Sequence, residues 1–136
     1  MFELDLKDKV VLITGGSDGL GFASAKLLSA QGAKIVICGR RSDYLKEKAN
    51  IIKEETKNDV LDIKCDVTNP DECKSLVEQT ISEFKNIDVL VNNAGTSAAA
   101  SFEDISDKSW ENDISLKLMA SVRMCRLVIP FMKEKG

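Results

Sequence analysis

The chain has no histidine, and its four cysteines, at 38, 65, 73 and 125, form no C-x-x-C pair. The usual nitrogen ligand of zinc is therefore missing, and no metal site is expected. Cys38 and Cys65 fall at the ends of apolar runs, where a free thiol behaves as a small buried hydrophobe. Reduced thiols of this kind imply a reducing compartment. No window approaches the ~18 apolar residues of a membrane span. The first residues, Met1 to Lys7, have no basic segment leading into an apolar one, so a secretory leader is not expected and a cytoplasmic location is. Charge of one sign is not concentrated anywhere. With a net charge of −3, there is no global attraction to nucleic acid or to an anionic membrane.

What is present is an ordinary globular composition, 43% hydrophobic and 30% charged, over 136 residues. That length suits one domain with a modest core. Four short apolar runs recur: Val10-Val11-Leu12-Ile13, Ile35-Val36-Ile37-Cys38, the weaker Val60-Leu61-Asp62-Ile63, and Ile87-Asp88-Val89-Leu90-Val91. Near-continuous branched runs suit strands covered on both faces, as in a parallel sheet. The intervening segments fit helices. Residues 19–31 carry Leu20, Ala23, Leu27 and Leu28 as an apolar stripe, and Gly32 follows as a stop. Residues 42–57 carry Leu45, Ala49 and Ile52. Residues 70–85 begin after the cap Asn69 with Pro70 and carry Leu76, Val77, Ile81 and Phe84. A last helix runs from about Ser109 to Lys135, along which Trp110, Ile114, Leu118, Val122, Cys125 and Ile129 step. Strand and helix alternating at this spacing predict right-handed βαβ units.

The most informative stretch is Thr14-Gly15-Gly16-Ser17-Asp18-Gly19-Leu20-Gly21, between the first strand and the first helix. Glycines permit a tight turn and close approach of a ligand to the backbone. The helix start offers free N–H groups and positive dipole to a pyrophosphate. In that context the turn reads as a dinucleotide site rather than a plain loop. Gly15, Ser17, Asp18, Gly19, Leu20 and Gly21 are its candidate contacts.

The spacing T-G-x-x-x-G-x-G resembles the fingerprint of the short-chain dehydrogenase/reductase family. Further motifs follow in order: Asp66-Val67 after the third strand, Asn92-Asn93-Ala94-Gly95 after the fourth, Trp110, and Leu127-Val128-Ile129-Pro130-Phe131-Met132 on the long helix. Together they span essentially the whole chain. The resemblance implies a Rossmann-type, doubly wound parallel α/β sheet in the order 3-2-1-4, truncated before the fifth strand. Residues 1–136 would form an NAD(P)-binding domain that is incomplete relative to the family. It implies an oxidoreductase that transfers hydride between a nicotinamide cofactor and a small carbonyl or alcohol. Asp66 and Val67 would meet the adenine, and the backbone of Asn93, Ala94 and Gly95 the nicotinamide-side ribose. The long helix implies a homo-oligomer.

Cofactor choice in the family is set at the end of the second strand, where a carboxylate binds the ribose of NAD. Here that strand ends Cys38-Gly39-Arg40-Arg41, without an acidic residue. Arg40 and Arg41 suit a phosphate, so NADP is expected, with NAD as the alternative. Asp18 either repels the 2′-phosphate or points to solvent.

The family's catalytic Ser and Tyr-x-x-x-Lys lie beyond the long helix, and the chain ends before them. Tyr44 and Lys48 satisfy Y-x-x-x-K literally, but they fall at the adenosine end, out of reach of the reacting carbon. They read as an exposed helix face. Ser115 stands where the family's proton-relay Asn is placed, with a shorter reach and one donor. The chain alone is expected to be inactive. The fourth strand would be left as an apolar edge. A longer protein, a second chain or self-association would cover it. The competing reading is a noncatalytic dinucleotide-binding or interaction module.

Overall fold

The computed structural model describes residues 4–136, so Met1 to Glu3, within the segment read for a leader, lie outside the described residues. Strand β1 spans Val10–Thr14, helix α1 Gly19–Ala30, β2 Lys34–Gly39, α2 Ser42–Thr56, β3 Val60–Lys64, α3 Pro70–Phe84 and β4 Val89–Val91. A short 3₁₀ turn at Phe102–Asp104 leads to α4, Asp107–Ile114, and then α5, Ala120–Lys135. A π-helical turn, Ser115–Met119, joins α4 to α5 without a break, and Ala120 N–H reaches back to Ser115 O.

The four strands form one parallel sheet in the order β3-β2-β1-β4. This is the expected order. Period-2 side-chain alternation splits the sheet into two cores. Val11, Ile13, Ile35 and Ile37 face Ala25 of α1 and Leu45, Ala49 and Ile52 of α2. Val10, Leu12, Val36, Cys38 and Ile63 face Cys73, Leu76 and Val77 of α3 and Ala120, Met124 and Val128 of α5. Burial of both faces explains why β1 and β2 are continuous apolar runs. β3 is an edge strand, which is why Asp62 is tolerated in it. Among the described residues β4 pairs with β1 alone, and its three residues are half-buried.

The caps follow the residues that form them. Asn69 accepts from the N–H groups of Asp71 and Glu72, ahead of Pro70. Gly32, at φ +89°, turns the chain out of α1 into β2. The stripes of two helices depart from expectation. In α1, Leu20 is 82% and Leu27 70% exposed, and Gly21, Ala25 and Ser29 are the buried set. Small residues bring α1 close to the sheet, a fit that counting leucines does not reveal. Along α4 and α5 the predicted stripe is the outer one: Trp110, Ile114, Leu118, Val122 and Ile129 are exposed, and Ala120, Met124 and Val128 are buried.

Candidate functional site

Parallel strands that begin their crossovers on opposite faces leave a crevice at their C-terminal ends, between β1 and its neighbour on the far side. Here that edge carries the glycine turn after β1, Arg40 after β2, Asp66 after β3 and the Asn92–Gly95 segment after β4. A groove of about 760 Å³ runs across it, lined by the turn, both arginines, Asp66 to Thr68, Ala94 to Thr96 and, from the long helix, Asn112, Ser115 and Leu116. A smaller recess of about 370 Å³ continues past Gly19 and Leu20 to Asn93 and Gly95. Gly15, Ser17, Asp18, Gly19, Leu20, Arg40, Arg41, Asp66, Val67, Asn93, Ala94, Gly95 and Ser115 therefore line two adjoining recesses that share Gly15, Asp18, Ala94 and Gly95. Of the candidate residues, Gly21 lines neither wall, and it works from beneath.

Gly15 has φ +66°, a conformation natural to glycine, and a Cβ there would lie 2.9 Å from Ala94 Cα. At Gly21 an added Cβ would fall 2.4 Å from both Asn93 Nδ2 and Gly15 O. The close approach it permits is filled by the Asn93 amide, which donates to Thr14 O at 3.1 Å and to Gly15 O at 3.0 Å. Thr14 completes the junction. Its Oγ1 accepts from the N–H groups of Asn93 and Ala94, each at 3.0 Å. These two N–H groups are thus engaged within the protein. Asn93 ties β4 to the turn, while Gly95, exposed and unobstructed, offers its backbone to the groove.

At the other end the residues are charged. Asp18 caps α1, its Oδ1 accepting from Gly19 N–H at 3.0 Å. Its Oδ2 lies 3.8 Å from Arg41 Nη2, so it neither stands alone nor points simply to solvent. Asp66 Oδ1 accepts from Thr68 Oγ1 at 2.7 Å and from Thr68 N–H at 3.0 Å, and its backbone N–H donates to Glu72 Oε2 at 2.6 Å. The Thr68 hydroxyl and N–H, and more weakly Arg40, hold the Asp66 carboxyl below its ordinary value against a small opposing effect of burial. Val67 O is held by Arg123 Nη1 at 3.0 Å.

Cys38 and Cys65 also line the groove, and both are buried. The neighbouring Cys38 sulfur, and then burial, push the Cys65 thiol up to about 12. Neutral sulfur in this wall adds no negative charge to the groove. Tyr44 and Lys48 lie on α2 and line neither recess. Both are half-buried, with Lys48 Nζ 5.3 Å from the Phe22 ring centroid and 4.8 Å from that of Tyr44, so the expected exposed face is corrected.

Thr14, Thr68, Glu72 and Asn112 were not among the candidates. Thr14 had a signal, a hydroxyl at a strand end next to a glycine turn. Asp66-Val67-Thr68 had one as well, since Asp with Thr two residues on is an Asx-turn pattern. Asn112 had none, because its place depends on how the long helix docks.

The residues present fit a dinucleotide: a cradle that admits no side chain at Gly21, a helix start, and a cationic rim opposite a carboxylate. Comparison with known proteins points the same way. The sequence model of the short chain dehydrogenase family matches residues 9–136. An uncharacterized oxidoreductase of Staphylococcus saprophyticus is 37% identical over 132 residues, covering 96% of this chain and 52% of its own length. L-sorbose reductase from Gluconobacter frateurii, solved with NADPH and L-sorbose, superposes with a TM-score of 0.96 at 36% identity, over 99% of this chain and 51% of that one. An NADH-dependent reductase, described as responsible for alginate metabolism, superposes at 0.88 and 30% identity, over 98% of this chain and 54% of that one. The chain thus spans about half the length of these relatives. With the turn, the strand order and the junction at Asn93 all in place, the chain belongs to the short-chain dehydrogenase family.

Proposed function

We propose that residues 1–136 form the NADP-holding domain of an oxidoreductase that exchanges hydride with a carbonyl or alcohol carbon of a small molecule. The observation that carries this reading is the single groove joining Gly15, Ser17 and Asp18 of the turn, Arg40 and the Ala94–Thr96 segment along the C-terminal edge of the sheet. In it the pyrophosphate would meet the N–H groups that open α1. Asp66, whose Oδ2 has no protein partner among the described residues, would accept from the adenine amino group, with Val67 N–H beside it. Gly95 would pass its backbone along the nicotinamide-side ribose.

Relatives use NADPH in one case and NADH in another, so the choice has to be read from residues. Gly39 places no carboxylate at the strand end, and a Cβ there would already stand 3.3 Å from Ser17 Oγ. Arg40 and Arg41 supply two guanidinium groups at the same rim. Both features favour a 2′-phosphate over a pair of ribose hydroxyls.

When bound, the nicotinamide supplies the hydride. This chain orients it; the proton comes from a Ser and a Tyr-x-x-x-Lys that we assign to residues outside these 136. The chain by itself is then inactive. Ser115, at the groove wall one turn after Asn112, stands next to the path of that proton. The exposed stripe of Trp110, Ile114, Leu118, Val122 and Ile129 is read as a homo-oligomer surface. No helix among the described residues is long and apolar enough to cross a membrane. The four free thiols favour a reducing compartment such as the cytoplasm.

Calorimetric titration tests the cofactor assignment. NADPH should bind at least tenfold tighter than NADH, and Arg40→Asp should erase or reverse that ratio. Equal binding of the two nucleotides, unchanged by Arg40→Asp, would refute it.

A further inference from the structure

Tyr44 and Lys48 sit one turn apart on α2, beside the arginine rim. The Arg41 guanidinium carbon lies 4.2 Å from the Tyr44 ring centroid, and Lys48 Nζ lies 4.8 Å from the same centroid. Arg41 also reaches Asp18, Nη2 to Oδ2 at 3.8 Å. The other oxygen of that carboxylate accepts from Gly19 N–H at the start of α1. One carboxylate thus lies between a guanidinium and a helix N-terminus, two groups that both recognise phosphate. Arg41 and Asp18 are 68% and 74% exposed, so their attraction is weak and easily exchanged for that of another anion. The stack on Tyr44 is a different kind of contact. It places the guanidinium over the ring whichever anion it is paired with.

We infer that Tyr44, under the Arg41 guanidinium, positions it for the 2′-phosphate, and that Asp18 is the anion Arg41 exchanges for that phosphate. The inference rests on the proposed dinucleotide reading, which already uses Arg41, and extends it to Tyr44 and Asp18. Tyr44 is here a positioning residue, acting through Arg41. Asp18 is a built-in competitor: it occupies Arg41 when the ribose carries a hydroxyl and yields to the more highly charged phosphate.

The test is parallel titration of NADPH and NADH into the chain and into Tyr44→Ala, Tyr44→Phe and Asp18→Asn. Tyr44→Ala should weaken NADPH about threefold and leave NADH unchanged, the effect of one exposed cation–ring stack. Tyr44→Phe keeps the ring and should keep the wild-type ratio. Asp18→Asn keeps an oxygen for Gly19 N–H but loses the competing charge, and should tighten NADPH about threefold with NADH unchanged. Equal weakening of both nucleotides in Tyr44→Ala shows a merely structural role and overturns the inference. So does a Tyr44→Phe protein that behaves like Tyr44→Ala. A ratio that responds to Arg40→Asp but not to Tyr44→Ala or Asp18→Asn leaves the cofactor reading standing and removes this one alone. Failure of the unaltered chain to bind either nucleotide removes both.

Discussion

The two ends of the groove are made of different materials. The end after β2 and β3 carries charged side chains, Asp18, Arg40, Arg41 and Asp66, of which Asp66 is held by Thr68 at 2.7 Å and Asp18 by Gly19 N–H at 3.0 Å. The end after β4 is built mostly from backbone and small polar groups: Ala94, Gly95, Thr96, Asn112 and Ser115. The first can discriminate between ligands, because charge and planar geometry differ between a phosphate and a hydroxyl. The second can position a ring but offers no group that titrates near neutrality, and so no proton donor. Between the ends stands the Thr14–Asn93–Gly21 junction, on which both depend.

The comparison breaks most completely at that junction. Gly21→Ala places a methyl against Asn93 Nδ2 and Gly15 O, displacing an amide that makes two hydrogen bonds. A loss of about 3 kcal/mol is expected from overpacking and stranded polar groups, read as a lower denaturant midpoint at unchanged slope. Nucleotide binding should fail at both ends together. Thr14→Val removes the acceptor of two N–H groups while keeping shape, and should cost about 2 kcal/mol in the same assay. If either variant weakens only one end, the junction is not shared.

Acid separates the ends more gently. Thr68 and Arg40 depress the Asp66 carboxyl, so its contribution is fully present above its unfolded value near 3.9 and is lost as pH falls below it. Asp88 is depressed as well: burial opposes its charge, but Lys135, Val10 N–H and Asn86 outweigh it. Wild-type stability should therefore decline below about pH 4, and Asp66→Asn should show a shallower decline that Asp88 still drives. An unchanged acid slope would mean that Asp66 is not held as described. The smallest effect is expected at the other end: Ser115→Ala should alter stability by less than about 0.5 kcal/mol and leave NADPH affinity unchanged. A tenfold loss of affinity there would make Ser115 a cofactor contact and erase the contrast.

Much of this arrangement was legible in the residues. The strand order, the turn and the Asn69–Pro70 cap follow from patterns with direct physical causes. The α2 stripe of Leu45, Ala49 and Ile52 is the buried set because α2 packs on one face alone. The α1 stripe misled because close packing there is set by absence of side-chain volume, at Gly21 and Ala25, and hydrophobic counting is blind to that. On the long helix two apolar stripes compete, and the sequence marks neither as inner. At the groove, the candidate positions were readable as a motif, but the division of labour was not. That the Asn93 amide ties β4 to the turn depends on residues far apart in the chain, and that Arg41 leans on Tyr44 is a local contact that a glycine motif does not record.

The π turn at Ser115–Met119 has a consequence for angular phase. In an α-helix each residue advances about 100°, so a row stepping every four residues drifts by about 40° per step. Asn112, Leu116, Ala120, Met124 and Val128 form such a row, with Asn112 and Leu116 at the groove and the last three in the core. Without correction the row would wind about 160° round the helix and carry Val128 to the far side. The one extra residue in the π turn takes back about 100° of that. Deleting a single residue between 115 and 119 would therefore turn the segment into regular α-helix and leave α5 in phase, whereas forcing all five residues into α-helix would swing Met124 and Val128 about 100° out of the core, like a misindexed gear.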